Sequence, residues 1–185
     1  MKVIKSLTNK IAIDIKAGKL AVIPTDTIYG LVASALNKNA IEKVYSLKKR
    51  APQKPFIILI SDISELGFFK ISLSMDLLAK LSEYWPGPNS LIFQCDNSDL
   101  DYLTLGRNTL AFRMPANKLL RSFIRKTGPL IAPSANHEGQ KPAVDIKSAI
   151  DYFQEKVDYY VDYGFIDNQP SNLIDLTNDY PVRLR

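Results

Sequence analysis

Lys48, Lys49, Arg50 and Lys54 place four cations within seven residues. Such a cluster can neutralise several phosphate oxygens, arginine with a planar fork and lysine with a compact charge. Lysine and arginine also suit the last turn of a helix, where they complement its dipole. That second reading explains Lys48 and Lys49 better than Lys54, which lies beyond Pro52. Two further polar segments, Pro24-Thr25-Asp26-Thr27 and Pro133-Ser134-Ala135-Asn136, follow apolar runs. Loops at strand ends are where α/β proteins usually hold ligands. Thr25, Thr27, Ser134 and Asn136 could hold a polar ligand there, or only build turns and caps. Arg113 sits in Thr109-Leu110-Ala111-Phe112-Arg113-Met114-Pro115. On a strand, Thr109, Ala111 and Arg113 share one face. An arginine framed by apolar neighbours needs an anionic partner. A substrate carboxylate or an internal Asp or Glu would serve, and the residues alone favour the internal pair.

Other chemistries lack their residues. There is no GxxxxGK[ST] phosphate loop, no GxGxxG fingerprint and no GxSxG elbow. The single histidine, His137, cannot build a multi-histidine metal site, and no nucleophile motif accompanies it for a triad. The single cysteine, Cys95, excludes an internal disulfide and reads as a small buried hydrophobe. A net charge of +5 favours an anionic partner such as a nucleotide or RNA.

The elements that must position these groups alternate between helix-like and strand-like segments, which predicts an α/β domain. Helical spacing covers residues 8–17, with Gly18 as a C-terminal cap. Residues 20–23 form a short apolar strand closed by Pro24. Asn39 is the predicted cap of a helix reaching Leu47, and residues 56–60 are the strongest strand pattern. A helix begins at Ser74 and ends before the loop Trp85-Pro86-Gly87-Pro88. Residues 90–94 and 109–114 read as strands. Asn117 caps a helix stopped by Gly128-Pro129, and residues 130–132 form a strand. Asp145 caps a helix through Phe153. Residues 159–161, 173–176 and 182–184 are late strands.

The 185 residues fit one domain spanning 1–185, and 46% apolar residues can build its core. No stretch approaches the apolar length of a membrane span. The N-terminus lacks the long apolar core of a signal peptide, so a cytoplasmic location without membrane contact is expected.

Taken in order, five pieces resemble the YrdC/TsaC family. They are Pro24-Thr25-Asp26-Thr27-Ile28-Tyr29-Gly30-Leu31, the Lys48-x-Arg50 pair with Lys54, Trp85-Pro86-Gly87-Pro88, Ala111-Phe112-Arg113-Met114-Pro115, and Ala132-Pro133-Ser134-Ala135-Asn136. Their order and spacing together are specific, and they cover most of the chain. The length is similar to the short stand-alone members and leaves no room for the extra C-terminal domain of longer ones. The resemblance implies a YrdC-like twisted mixed sheet flanked by helices, with a basic concave cavity. It implies a threonylcarbamoyl-AMP synthase that joins L-threonine, bicarbonate or CO2, and ATP, releasing pyrophosphate. The product serves the threonylcarbamoyl modification of adenosine 37 in tRNA, through a downstream tRNA threonylcarbamoyl-transfer system. RNA or tRNA contact is a further expectation.

By resemblance, Lys48 and Arg50 are the catalytic pair. With Lys54 they would hold the triphosphate and stabilise departing pyrophosphate. Thr25 and Arg113 would hold threonine, with Arg113 on its carboxylate. Thr109, Ser134 and Asn136 would line the nucleotide side, and Arg185 would lie near ATP. Mg2+ is expected with ATP, its ligands mostly phosphates and waters and not a protein cluster. The chain departs from the family pattern at Ala51, where a proline usually follows the Lys-x-Arg pair, and at Asp26, where glutamate is usual. Residues 137–144 replace the usual Ser-Gly run, and Ser171 is the remnant of a longer Glu-Ser-Thr segment. Two other readings compete. One is a non-catalytic RNA-binding module of the same fold, against which stands the lack of RRM, KH or double-stranded-RNA motifs. The other is a carbamoyl-adenylate module using carbamoyl phosphate, against which stands the lack of companion domains.

Overall fold

A computed structural model describes residues 1–49, 54–178 and 180–185. The chain enters through β1 (Lys2–Ile4) and α1 (Asn9–Lys16). The Thr8 hydroxyl accepts from the Ile11 amide and caps the helix, while Ile11, Ala12 and Ile15 give it one buried stripe. Gly18 follows at φ +96°, the left-handed turn that glycine favours. β2 (Ala21–Pro24) and β3 (Tyr29–Ser34) then pair antiparallel across the turn at 25–28. The sequence prediction lacks β3. Gly30 interrupts it, and Ala33 and Ser34 dilute its apolar signal. Pairing with a strand on either side supplies what propensity does not.

α2 (Lys38–Lys48) is capped by Asn37, whose Oδ1 accepts from the Ala40 amide at 3.0 Å. The predicted cap, Asn39, instead lies exposed inside the helix. β4 (Ile58–Leu59) is the short core of the predicted 56–60 strand. A 3-10 segment (Ile63–Phe69) leads to α3 (Met75–Tyr84), which starts after Ser74 as expected. β5 (Asn89–Gln94), the short α4 (Asp101–Thr104) and β6 (Thr109–Arg113) follow. α5 (Lys118–Thr127) is capped by Asn117, β7 (Leu130–Ile131) is short, and α6 (Ile146–Phe153) carries a capping box between Asp145 and Ser148. β8 (Tyr159–Val161), β9 (Asn172–Asp175) and β10 (Val182–Arg183) end the chain described.

The strands form one mixed sheet in the order β1-β8-β2-β3-β7-β4-β6-β5-β9-β10. Strand alternation divides the core between its two faces. Val22, Leu31, Ala33, Ile58, Phe112 and Tyr160 point to the larger core, which α2 and α6 also fill through Ile41, Val44, Ala149 and Phe153. Ala21, Ile23, Val32, Leu130, Tyr159 and Val161 point the other way. There Ile11 and Ile15 of α1 meet Leu120, Phe123 and Ile124 of α5. Those two helices roof the face over β8, β2, β3 and β7. On β6, β5 and β9 the corresponding residues Ala111, Ile92 and Leu173 remain half-buried, so this end of the face is open. Among the described residues no helix is long and apolar enough to cross a membrane.

Candidate functional site

The open half of the sheet forms the floor of a hollow of about 530 Å³. β6 supplies Thr109, Ala111 and Arg113 on one face, as alternation predicts. Ile92 lies opposite Ala111, and Leu59 opposite Arg113. The loop after β2 brings Thr25 and Thr27, and the turn after β7 brings Pro133 and Ser134. Lys54 leads into β4, while the β9–β10 ribbon adds Ser171, Leu173 and Arg185. The charged residues among the described lining are Lys54, Arg107, Arg113 and Arg185, all cations. A concave wall of one sign with a low-dielectric floor concentrates potential and attracts anions.

Arg113 is the most buried of these cations, at 5% exposure. Its Nη1 donates to Thr27 Oγ1 at 2.8 Å, and its Nη2 pairs with Asp26 Oδ1. The other Asp26 oxygen accepts from the Ala116 amide at 2.9 Å, which ties the carboxylate to the entry of α5. Burial presses the guanidinium below the ordinary arginine value, and Asp26 offsets part of that. The internal partner that the residues favour is therefore Asp26. Arg113 Nε is buried and has no hydrogen-bond partner among the described residues. Such an orphaned donor is unusual in a folded interior.

Thr25 closes its own turn. Its Oγ1 donates to Ile28 O at 2.7 Å and accepts from the amides of Thr27 and Ile28 at 3.2 Å each. Gly30 lies behind it, bridged to Ser134, and a Cβ there would come within 3.4 Å of Thr25 Cγ2. The floor and the two threonine- and serine-bearing turns thus pack directly on one another.

Lys48 does not line the hollow. It is 2% exposed, and its Nζ donates to Ser134 O at 2.6 Å, Asn136 O at 2.7 Å and Asn136 Oδ1 at 3.3 Å. The ammonium clamps the turn after β7 from behind, because a buried ammonium must direct its donors at acceptors. Asn136 is likewise engaged within the turn. Its Nδ2 donates to His137 O at 2.8 Å and Gln140 O at 2.7 Å, and its Oδ1 accepts from Ser134 Oγ at 2.5 Å. Its amide holds the loop, and the residue is not among those facing the hollow.

Ser134, Lys54, Thr109, Arg113, Thr25 and Arg185 do face it. Lys54 Nζ reaches Glu138 Oε1 at 2.7 Å, and Arg185 Nε donates to Ser171 O at 3.1 Å. Ser171 shares a 2.9 Å hydrogen bond with Ser90. Arg50 lies outside the described residues. Arg107 is the lining cation that sequence reasoning missed. It follows Gly106 and precedes Asn108, both at positive φ, so strand alternation gives no signal for it. Its position two residues before Thr109 is the only cue.

Among the described residues no group of three or more His, Cys, Asp or Glu side chains converges. The carboxylates touching the lining, Asp26 and Glu138, each engage a cation. What the hollow offers is positive charge, hydroxyls and a rigid floor, which suits positioning anions rather than nucleophilic attack by the protein.

A family model named for Sua5, YciO and YrdC, and described as telomere recombination, matches residues 14–185. A threonylcarbamoyl-AMP synthase of Pyrococcus abyssi is 34% identical over 175 residues, covering 92% of this chain and 51% of that protein. A threonylcarbamoyl-AMP synthase of Bacillus subtilis is 32% identical over 179 residues, covering 92% of this chain and 50% of that one. The chain thus spans about half the length of these curated relatives. The crystal structure of P. abyssi Sua5 complexed with L-threonine superposes with a TM-score of 0.91 at 30% identity, covering 100% of this chain and 57% of the other.

Proposed function

The chain belongs to the Sua5/YciO/YrdC family, and from that membership we propose that it is an L-threonylcarbamoyladenylate synthase. It condenses L-threonine, bicarbonate or CO2, and ATP to threonylcarbamoyl-AMP and pyrophosphate. The single observation that carries the reading is the hollow of about 530 Å³, whose described charged lining residues are all cations. L-threonine brings a carboxylate and ATP a triphosphate, and the two must meet there.

The bonds made and broken require no protein nucleophile. The threonine amine adds to CO2 and loses a proton, giving a carbamate. A carbamate oxygen attacks the α-phosphorus of ATP, and the bond from that phosphorus to the β-bridging oxygen breaks. The electron pair leaves with pyrophosphate. The chain's part is to hold the carbamate oxygen in line with the α-phosphorus and to neutralise the developing charge.

Arg113, oriented by Asp26 and Thr27, is the proposed holder of the threonine carboxylate, beside Thr25. Lys54, Arg107 and Arg185 would face the phosphates, with Thr109 and Ser134 along the nucleotide. Arg50 keeps its proposed place with the phosphates. Lys48 and Asn136 would act on Ser134 through the turn they hold. Magnesium would arrive on the nucleotide, with phosphate oxygens and waters as its ligands. A tRNA threonylcarbamoyl-transfer system would consume the product in the cytoplasm, since a mixed carbamic–phosphoric anhydride is short-lived in water.

The test is release of pyrophosphate by purified protein given ATP, magnesium and bicarbonate, with L-threonine omitted and then restored. Release that depends on threonine supports the reading. Equal release with any amino acid, or none with threonine, overturns it. Salt-sensitive RNA binding without ATP binding would favour the RNA-binding module instead.

A further inference from the structure

Every charged residue among the described lining is a cation, yet one carboxylate is held at the rim. Glu138 Oε1 lies 2.7 Å from Lys54 Nζ, and Lys54 is a lining residue. The pairing is not a chance meeting of two mobile side chains. The backbone amide of Glu138 donates to Lys48 O at 2.8 Å, at the end of α2. The neighbouring His137 ring bonds Leu47 O through Nδ1 at 2.9 Å, and its ring packs edge-on against Tyr152 and Phe153. Lys48 holds the same turn through Ser134 and Asn136. The loop therefore presents the carboxylate from a fixed base, while Lys54 remains 60% exposed and free to swing on its stem.

We propose that Glu138 is a built-in competitor for the phosphates of the nucleotide, occupying Lys54 until the triphosphate displaces it. The inference rests on reading the hollow as a nucleotide site and adds to it the residue that sets phosphate affinity. An exposed ion pair contributes little, so the exchange is easy in both directions. A carboxylate at the mouth weakens binding of every polyanion there, reactant and departing pyrophosphate alike. It thereby trades affinity for release. Glu138 acts through Lys54 and is a positioning residue, not a catalytic one.

The experiment measures ATP affinity by calorimetry, without bicarbonate, for wild type, Glu138→Gln, Lys54→Met and the double variant. Glutamine keeps the shape and removes the charge. The expected result is ATP bound about twofold to fivefold more tightly by Glu138→Gln, the range an exposed pair spans. The gain should shrink as salt rises and shrink again in the Lys54→Met background, the signature of two coupled residues. L-threonine affinity should not move, whereas a merely structural fault in the loop would disturb both ligands. Unchanged or weaker ATP binding by Glu138→Gln overturns the inference, as does a gain that is undiminished in the Lys54→Met background. Absence of ATP binding by all four proteins overturns the nucleotide reading itself.

Discussion

Replacing Lys48 by methionine separates two accounts of the Lys-x-Arg motif. Methionine keeps most of the apolar stem, so packing is little disturbed. The change removes the charged donor from Ser134 O, Asn136 O and Asn136 Oδ1, with lengths of 2.6, 2.7 and 3.3 Å. Hydrogen bonds to a charged group contribute about 1.5–3 kcal/mol each, and only the two short ones have strong geometry. The expected loss of stability from those two is therefore about 3–6 kcal/mol. That is a large share of the roughly 5–15 kcal/mol that holds a domain folded. Urea denaturation followed by circular dichroism should show a lower midpoint with an unchanged slope. ATP affinity should fall with it, because Ser134 loses its support. If Lys48→Met unfolds at the wild-type urea concentration and loses only ATP binding, the ammonium contacts phosphate directly and the clamp is refuted.

Three other outcomes follow from the same contacts. Asp26→Ala leaves the Arg113 guanidinium buried beside Thr27 without its carboxylate; a broken buried pair costs about 3–5 kcal/mol, and the KM for threonine should rise well beyond any change in ATP affinity. Gly87→Ala brings a Cβ within 2.7 Å of the backbone oxygen of Tyr84, so calorimetric melting should show a destabilisation of about 1–3 kcal/mol. Asp14 is held at about 2, below its ordinary value of 3.8, by the Tyr159 hydroxyl and then by Lys19 and Lys10. A depressed carboxylate adds stability above its unfolded value, and that part is lost as pH falls from near 4 towards 2. Urea midpoints measured across that window should fall less steeply for Asp14→Asn than for wild type, and parallel curves would refute the assignment.

Where sequence and structure agree, the signal was local. Ser74, Asn117 and Asp145 cap helices where the sequence predicts, because a cap is decided by one side chain and the next few amides. Strand alternation correctly put Thr109, Ala111 and Arg113 on one face. β3 was not legible, since its identity rests on partners distant in sequence. The direction in which Lys48 points was not legible for a related reason. Its composition and spacing suit a phosphate ligand, but whether an ammonium faces the hollow or the turn behind it depends on where residues 134–136 return. Arg107 escaped because its turn obeys no periodicity, and Asp26 looked like a shortened glutamate until Arg113 came beside it.

One hollow must receive both an amino acid and a triphosphate. A crystal structure of the chain soaked with L-threonine and a non-hydrolysable ATP analogue tests that directly. The predicted result is a threonine carboxylate against Arg113 and phosphate oxygens within hydrogen-bonding distance of Lys54, Arg107 or Arg185. A nucleotide bound on another face, with the hollow holding neither molecule, would contradict it.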